Sequence, residues 1–419
     1  MSETPETHDA VETPGLPARL AALKLLDAVM RRGETLEQAE NGAMRGVNEF
    51  ADRALARAIA GESLRWLTDL DTLIDSATPL QLAEDAKPRM VLRMMLAQWL
   101  RLDTKPHAVV ATALPLLLGG PRRLAHGVFG ALVRQGVGLP DTPTLPAKVA
   151  ERWGARADAI AAGLGVPPPL DLALRDPAAT AEWAEKLGGV SLAPGHVRLP
   201  RGARVEELAG YDDGAWWVQD FAASLPVRLL GPGEGRRVLD LAAAPGGKTL
   251  QLAAAGWNVT ALDISAKRLT LLRQNLNRTG LTAEIVTANA LEWEPEAPFD
   301  AILLDAPCTA TGTARRHPDV IHRIAPRQIA ELSAVQAKLL ARAAGWLAPG
   351  GRLVYAVCSM EREEGEGQTL FLPLTPDRIT AEELPAGLLP TTEGWLRTDP
   401  GMLAEAGGMD GFFVGRWKA

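Results

Sequence analysis

From Gly235 onward, short apolar runs of strand length alternate with amphipathic helical stretches, and this alternation narrows the possible folds more than any other feature of the chain. Arg237 to Leu241 precedes a helix from about Gly247, and Asn258 to Leu262 precedes a helix over Ala266 to Asn277. Ala283 to Thr287, Phe299 to Leu304 and Arg352 to Val357 read as further strands, with a helix over Pro326 to Leu347 between the last two. Strand and helix in turn predict an α/β class with a doubly wound, Rossmann-like parallel sheet. Ligands of such sheets bind beyond the carboxyl ends of the strands, near the point where strand order reverses. The first residues after each strand are therefore the candidates for chemistry.

Upstream, apolar residues recur at helical spacing from Pro17 to about Gln135, as in Leu20, Leu23, Leu25, Leu26 and Val29, or Val91, Leu92, Met95, Leu96 and Leu100. An all-helical domain over 16–140 follows, preceded by an acidic tail, 1–15, expected to be disordered. Gly136 to Pro140, continuing into Asp141-Thr142-Pro143, is a linker by composition. Residues 141–235 form an extension with helical stretches at Ala147 to Gly163 and Pro177 to Leu187, to which periodicity assigns no chemistry, and 236–419 form the sheet domain. The longest mainly apolar stretch, Ala108 to Leu118, is broken by Thr112 and Pro115 and is shorter than the roughly 20 residues that span a bilayer. Two cysteines and the absence of a basic-then-apolar leader predict a cytoplasmic protein without a disulfide framework or a membrane span. The net charge of −7 argues against an indiscriminate nucleic-acid binder, but Lys87 to Arg134 holds eight Lys or Arg against the single acid Asp103. No Cys or carboxylate cluster at metal spacing accompanies His107, which reads as a capping or core residue, and no metal is expected.

The first strand of the sheet domain runs into Ala242-Ala243-Ala244-Pro245-Gly246-Gly247-Lys248-Thr249. Small side chains there let a ligand approach the backbone and the N–H groups opening the next helix, although a tight turn without ligand has the same composition. A phosphate loop would need glycine at Ala242, which disfavours a P-loop ATPase. Asp263, ending the second strand, is placed to accept hydrogen bonds from ribose hydroxyls. The missing Gly-x-Gly-x-x-Gly turn favours S-adenosylmethionine over a dinucleotide. Asn289, after the third strand, is either an adenine contact or turn chemistry. The fourth strand runs into Asp305-Ala306-Pro307-Cys308 and the fifth into Val357-Cys358-Ser359, so both cysteines lie just beyond consecutive strands. A cysteine is commonly a buried small hydrophobe. Two thiols and a carboxylate converging on one crevice instead suit methyl transfer to C5 of a pyrimidine, where a thiolate must first add at C6.

These motifs, with Gly312-Thr313, Arg315-Arg316-His317-Pro318-Asp319, Gln219-Asp220, Asp263 with Arg268, and Asp410-Gly411-Phe412-Phe413, resemble the Nop/Sun family of RNA (cytosine-5) methyltransferases over roughly 141–419. The helical domain resembles the NusB-like RNA-binding module in Asp52-Arg53, Gly61 to Arg65 with Leu70-Asp71, Pro106-His107-Ala108-Val109 and Val128 to Arg134. Bacterial 16S ribosomal RNA methyltransferases of this family pair the two domains in the same order. The resemblance implies S-adenosylmethionine bound by Ala242 to Lys248, Asp263, Arg268, Asn289 and Asp305. It implies Cys358 as nucleophile, Asp305 as the group holding or protonating N3, and Cys308 as the base or relay for release. The implied partner is RNA, namely 16S ribosomal RNA with a single-stranded or flipped cytosine, and a monomer is favoured. Arg315, Arg316 and Arg323 are candidates to position phosphates. A transfer-RNA methylase and a non-catalytic RNA-binding factor are the competing readings. The chain departs from the family pattern at Ala242 (commonly Cys), Asn289 (commonly Asp), Thr309-Ala310 (commonly Ser-Gly) and Val357 (commonly Thr), which implies altered adenine contacts and a stiffer loop after Cys308.

Overall fold

A computed structural model describes residues 14–370 and 372–419, so the tail expected over 1–15 lies outside the described residues except for its last two. The chain forms two compact units, one running to Ala147 and including His317–Arg323, the other comprising 148–316 and 324–419.

The first unit is helical: α1 (Leu16–Arg32), α2 (Leu36–Ala43), α3 (Phe50–Arg65), α4 (Leu67–Ser76), α5 (Lys87–Arg101), α6 (Pro106–Ala113) and α7 (Gly119–Gln135). Pro17 in the first turn and a left-handed Gly33 after the last residue bound α1. Its buried stripe, Ala18, Ala21, Ala22, Leu25, Leu26 and Val29, has helical spacing, while Leu20 from the expected set is 43% exposed. Val91, Leu92, Met95 and Leu96 of α5 are fully buried at the centre of this core. The short helix in His317–Arg323 sits in this unit, where the half-buried His322 Nε2 lies 2.7 Å from the Leu64 carbonyl oxygen.

The second unit begins with α8 (Ala147–Trp153) and α9 (Ala157–Leu164), one expected helix divided at Gly154. A three-stranded antiparallel sheet follows, which periodicity did not predict: β1 (Leu170–Leu174), then α10 (Thr180–Leu187), β2 (His196–Leu199) and β3 (Trp216–Val218), in the order β2-β1-β3. Its polar residues are internal. Asp171 accepts from both arms of Arg198, at 2.7 and 2.8 Å, and both residues are buried, so the alternation that marks a half-exposed strand is lost.

The large sheet is built from α11 (Phe221–Arg228), β4 (Arg237–Leu241), α12 (Gly247–Ala254), β5 (Asn258–Asp263), α13 (Ala266–Thr279), β6 (Glu284–Thr287), β7 (Phe299–Asp305), α14 (Val320–Arg323, in the helical unit), α15 (Pro326–Gly345), β8 (Leu347–Val357), β9 (Thr375–Pro376), β10 (Leu396–Thr398) and β11 (Phe412–Lys418). The strand order is β10-β11-β8-β7-β4-β5-β6, with β9 beside β11. Strands β4 to β8 run parallel, and β11 and β10 add antiparallel at one side. Alternate residues face opposite cores. Val238, Leu303 and Val354 meet Phe221 and Leu225 of α11, whereas Leu239, Ile302, Leu304 and Leu353 meet Leu339, Leu340 and Ala343 of α15. Strand order reverses between β4 and β7, which places the turn after β4 beside the carboxyl end of β7. No helix among the described residues is long and apolar enough to cross a membrane.

Candidate functional site

The turn after β4 is shaped by backbone as much as by side chains. Ala242 and Gly246 both have left-handed φ, 64° and 113°. A Cβ on Gly246 would sit 2.3 Å from Leu272 Cδ1 of α13, so only glycine satisfies both the angle and the approach. Asp263 is buried and ties this turn to β5, accepting from Ala244 N at 3.1 Å and Ser265 N at 2.8 Å. Arg268 reaches Asp263 Oδ2 at 3.5 Å and bonds the Ala244 carbonyl. Asn289 closes its own turn, accepting from Leu291 N at 3.1 Å and donating to Glu292 at 2.9 Å. The left-handed turn, its small side chains and the buried Asp263 carboxylate make a cradle that fits an adenosyl group lying across β4 and β5.

Next to the cradle, Lys248 Nζ of α12 donates to Asp305 Oδ2 at 2.7 Å, where β7 ends. Burial disfavours the Lys248 ammonium, but the adjacent Asp305 outweighs it and raises the pKa. Lys248 Nζ also lies 5.3 Å from the centre of the Phe412 ring at the start of β11. Beneath them, burial pushes the Asp240 carboxyl up to about 7, although Thr249 donates to it at 2.5 Å.

Parallel pairing of β7 with β8 aligns Asp305 with Ala356, so the loops leaving both strands emerge side by side. The two thiols meet there: Cys308 Sγ and Cys358 Sγ are 3.5 Å apart. Both are partly exposed. The hydrogen bond to Cys358, then burial, then the charges of Cys358 and Glu364 push the Cys308 thiol well above its ordinary value. Cys308 therefore keeps its proton when one of the pair ionises, and the field of a Cys358 thiolate reaches both Lys248 and Arg316. Gly312 N donates to the Cys358 carbonyl at 3.0 Å, and a Cβ on Gly312 would fall 1.9 Å from Gly411 O, so glycine is required for this close backbone crossing.

The arginine run divides. Arg315 is buried and bonds the Gly407 carbonyl. Arg316 bonds the fully buried Asp410, and although burial opposes its charge, Asp410 and Asp220 hold its pKa above the ordinary value. Arg323 pairs with Asp319 at 2.9 Å within the helical unit. Glu364, which sequence reasoning missed, is fully buried against the cysteine loops; it lies in Glu361-Arg362-Glu363-Glu364, whose composition is that of a solvated loop.

The basic span is corrected by the fold. Arg93 is buried and bonds both Asp71 oxygens at 2.7 Å, and Arg89, also buried, pairs with Asp71 and Asp75. These two guanidiniums hold α4 to α5 and face no solvent. Lys87, Lys105, Arg122, Arg123 and Arg134 are exposed. His107 is also exposed, in the first turn of α6, so it is not a core residue. Among the described residues no group of three or more His, Cys, Asp or Glu is placed to hold a metal ion.

Residues 227–416 match the family of 16S rRNA methyltransferases RsmB/F, and residues 16–117 match the NusB family. The ribosomal RNA small subunit methyltransferase B of Klebsiella pneumoniae is 32% identical, covering 95% of this chain and 97% of its own length. That of Pseudomonas putida is 33% identical with the same coverage of each. Among solved structures, PH0851 overlays with a TM-score of 0.71 at 21% identity, over 98% of this chain and 100% of the other, and shows the shared fold. A methyltransferase homolog from Pyrococcus horikoshii overlays with a TM-score of 0.53 at 27% identity, over 69% of this chain and 97% of the other.

Proposed function

The chain belongs to the 16S rRNA methyltransferase RsmB/F family, whose methyl donor is S-adenosylmethionine, and from that premise we propose that it methylates C5 of a cytosine in 16S ribosomal RNA through a covalent adduct between Cys358 and C6. The observation that carries this reading is the pair of thiols 3.5 Å apart beyond two adjacent parallel strands, beside the Lys248–Asp305 ion pair.

C5 of cytosine is a poor nucleophile until another group adds at C6. The Cys358 thiolate, with Lys248 and Arg316 nearby, forms the S–C6 bond. Asp305 holds or protonates N3, so that the electron pair displaced from the C5–C6 bond is accommodated in the ring. Ala242 to Lys248, Asp263, Arg268 and Asn289 would hold S-adenosylmethionine, which would supply the electrophilic methyl on its sulfonium. Cys308 then gives its own proton to solvent, and the thiolate so formed takes the C5 proton, the electrons of the C5–H bond restoring the C5–C6 double bond as the S–C6 bond breaks and returns its electron pair to Cys358. The coupling of the thiols times this step. Once Cys358 has become a thioether its charge is gone, and with it a main cause of the raised Cys308 pKa, so Cys308 becomes a competent base only after the adduct exists.

A base in a duplex cannot present C6 to a thiol, so the substrate cytosine must be unpaired or flipped. On the helical unit, α7 has no acidic residue and exposes Arg122, Arg123 and Arg134, a surface suited to phosphate contacts. Reversing two charges, Arg122→Glu with Arg123→Glu, is expected to raise the RNA KM by about tenfold and to make the salt dependence shallower by roughly one to two phosphate contacts. Filter binding across a salt series measures this, and an unchanged slope removes α7 from the RNA interface. Asp263→Ala, which unties the cradle, is expected to weaken S-adenosylmethionine binding by about tenfold or more in calorimetry, equivalent to at least about 1.4 kcal/mol.

The reading is tested by transfer of a tritiated methyl group from S-adenosylmethionine onto unmodified 16S RNA, with transfer RNA in parallel and nucleoside analysis of the product. 5-Methylcytidine in 16S RNA supports it. Transfer to transfer RNA alone replaces the substrate, and RNA binding without transfer replaces the enzyme with a binding factor.

A further inference from the structure

Glu364 has no part in the reaction as described, yet it is fully buried where the two cysteine loops meet. Its carboxylate accepts from Thr309 N at 3.0 Å and from the hydroxyls of Thr309, next to Cys308, and Ser359, next to Cys358. Gln336 of α15 donates to it at 3.0 Å and also to the Pro307 carbonyl at 2.9 Å. These donors are all neutral: one peptide N–H, two hydroxyls and one amide. Burying a carboxylate is costly, and a neutral residue of the same shape would avoid that cost if only packing mattered. A glutamine, however, offers one acceptor oxygen and turns its NH2 toward groups that must donate.

We propose that Glu364 is a positioning residue that holds the Cys308 and Cys358 loops in register and keeps a negative charge beside Cys308 throughout the reaction. The inference rests on the two-cysteine reading above. The groups facing Cys308 are Cys358, Glu364 and Tyr355, and Tyr355 donates its own hydroxyl to the Glu364 carbonyl. Glu364 is thus the anion that remains beside Cys308 when Cys358 is consumed. It also lets the loop carry Thr309-Ala310: the Thr309 hydroxyl keeps a bond to Glu364, and Ala310 takes the left-handed φ of 57°.

The test uses the full chain, whose two cysteines make thiol chemistry residue-specific. In a Cys358→Ala background, the pH dependence of iodoacetamide alkylation reads Cys308 alone. Adding Glu364→Gln removes a negative neighbour, so the midpoint is expected to fall by about half a pH unit or more. Adding Thr309→Val leaves the charge and is expected to leave the midpoint in place. With both cysteines present, Glu364→Gln and Thr309→Val are each expected to lower kcat by about tenfold or more while the KM values for RNA and S-adenosylmethionine stay within about threefold. An unmoved Cys308 midpoint in a Glu364→Gln protein that still binds S-adenosylmethionine overturns the electrostatic role. Should Glu364→Gln fail to fold, wild-type kcat in both Thr309→Val and Ser359→Ala overturns the clamp. Inert variants in an enzyme that methylates cytosine sink only this inference, whereas a wild-type protein that methylates no cytosine sinks the functional reading beneath it.

Discussion

Cys358→Ala is expected to abolish methyl transfer to RNA, by on the order of 10⁴-fold or more, the scale on which loss of a covalent nucleophile is felt in enzymes of known mechanism. Lys248 and Arg316 both lie close enough to Cys358 to feel its charge. Without S–C6 bond formation the pyrimidine C5 has no means of attacking a sulfonium, and neither Asp305 nor Cys308 can substitute. The sulfur lies outside the β4–β5 cradle, so S-adenosylmethionine affinity is expected to stay within about twofold of wild type, the behaviour of a group used only in the reaction. Single-turnover transfer of labelled methyl alongside calorimetry separates the two. Residual transfer within tenfold of wild type would remove Cys358 from the nucleophile's role.

Cys308→Ala is expected to fail differently. Its thiol is 3.5 Å from that of Cys358, the proposed nucleophile, and burial and its neighbours hold it above its ordinary pKa, which suits a base in the second half of the proposed reaction. With Cys358 intact, addition to C6 and methylation at C5 can still occur. Removal of the C5 proton then loses its base, a contribution typically of 10²- to 10⁴-fold. The protein is therefore expected to accumulate as a covalent protein–RNA complex that survives denaturing gel electrophoresis and carries the transferred methyl group. The double substitution with Cys358→Ala should show no such complex. If Cys308→Ala turns over normally, or if the complex persists without Cys358, the assignment of the two thiols must be changed or exchanged.

The parallel part of the large sheet was legible because its strands are short and mainly apolar, while its helices are amphipathic; β4, β5, β6 and β7 lie within one residue of their expected bounds, whereas the antiparallel β9, β10 and β11 were not expected. Strand β8 begins at Leu347 rather than Arg352, because Pro349-Gly350-Gly351 near its start has the composition of a turn and not of a strand. The small sheet β2-β1-β3 was not legible, since Asp171, His196 and Arg198 are polar yet internal. The same cause misplaced charge elsewhere. Arg89 and Arg93 have the composition of a basic surface, and only their pairing with Asp71 and Asp75 shows that they are interior. Glu364 is the reverse case, a buried acid in a run that reads as solvated.

By itself the sequence determined the order of the parallel strands β4 to β8 and their helices, where those strands end to within a residue, and the presence of two thiols and a carboxylate after consecutive strands, because periodicity and strand-end position are local properties of a chain. Tertiary structure alone decided that the thiols lie 3.5 Å apart, that Lys248 pairs with Asp305, and that Glu364 joins the two loops. Those facts depend on strand pairing between segments some fifty residues apart and on which charges are withdrawn from water. Neither pairing nor desolvation is encoded at any single position; both arise when β4, β7 and β8 become neighbours.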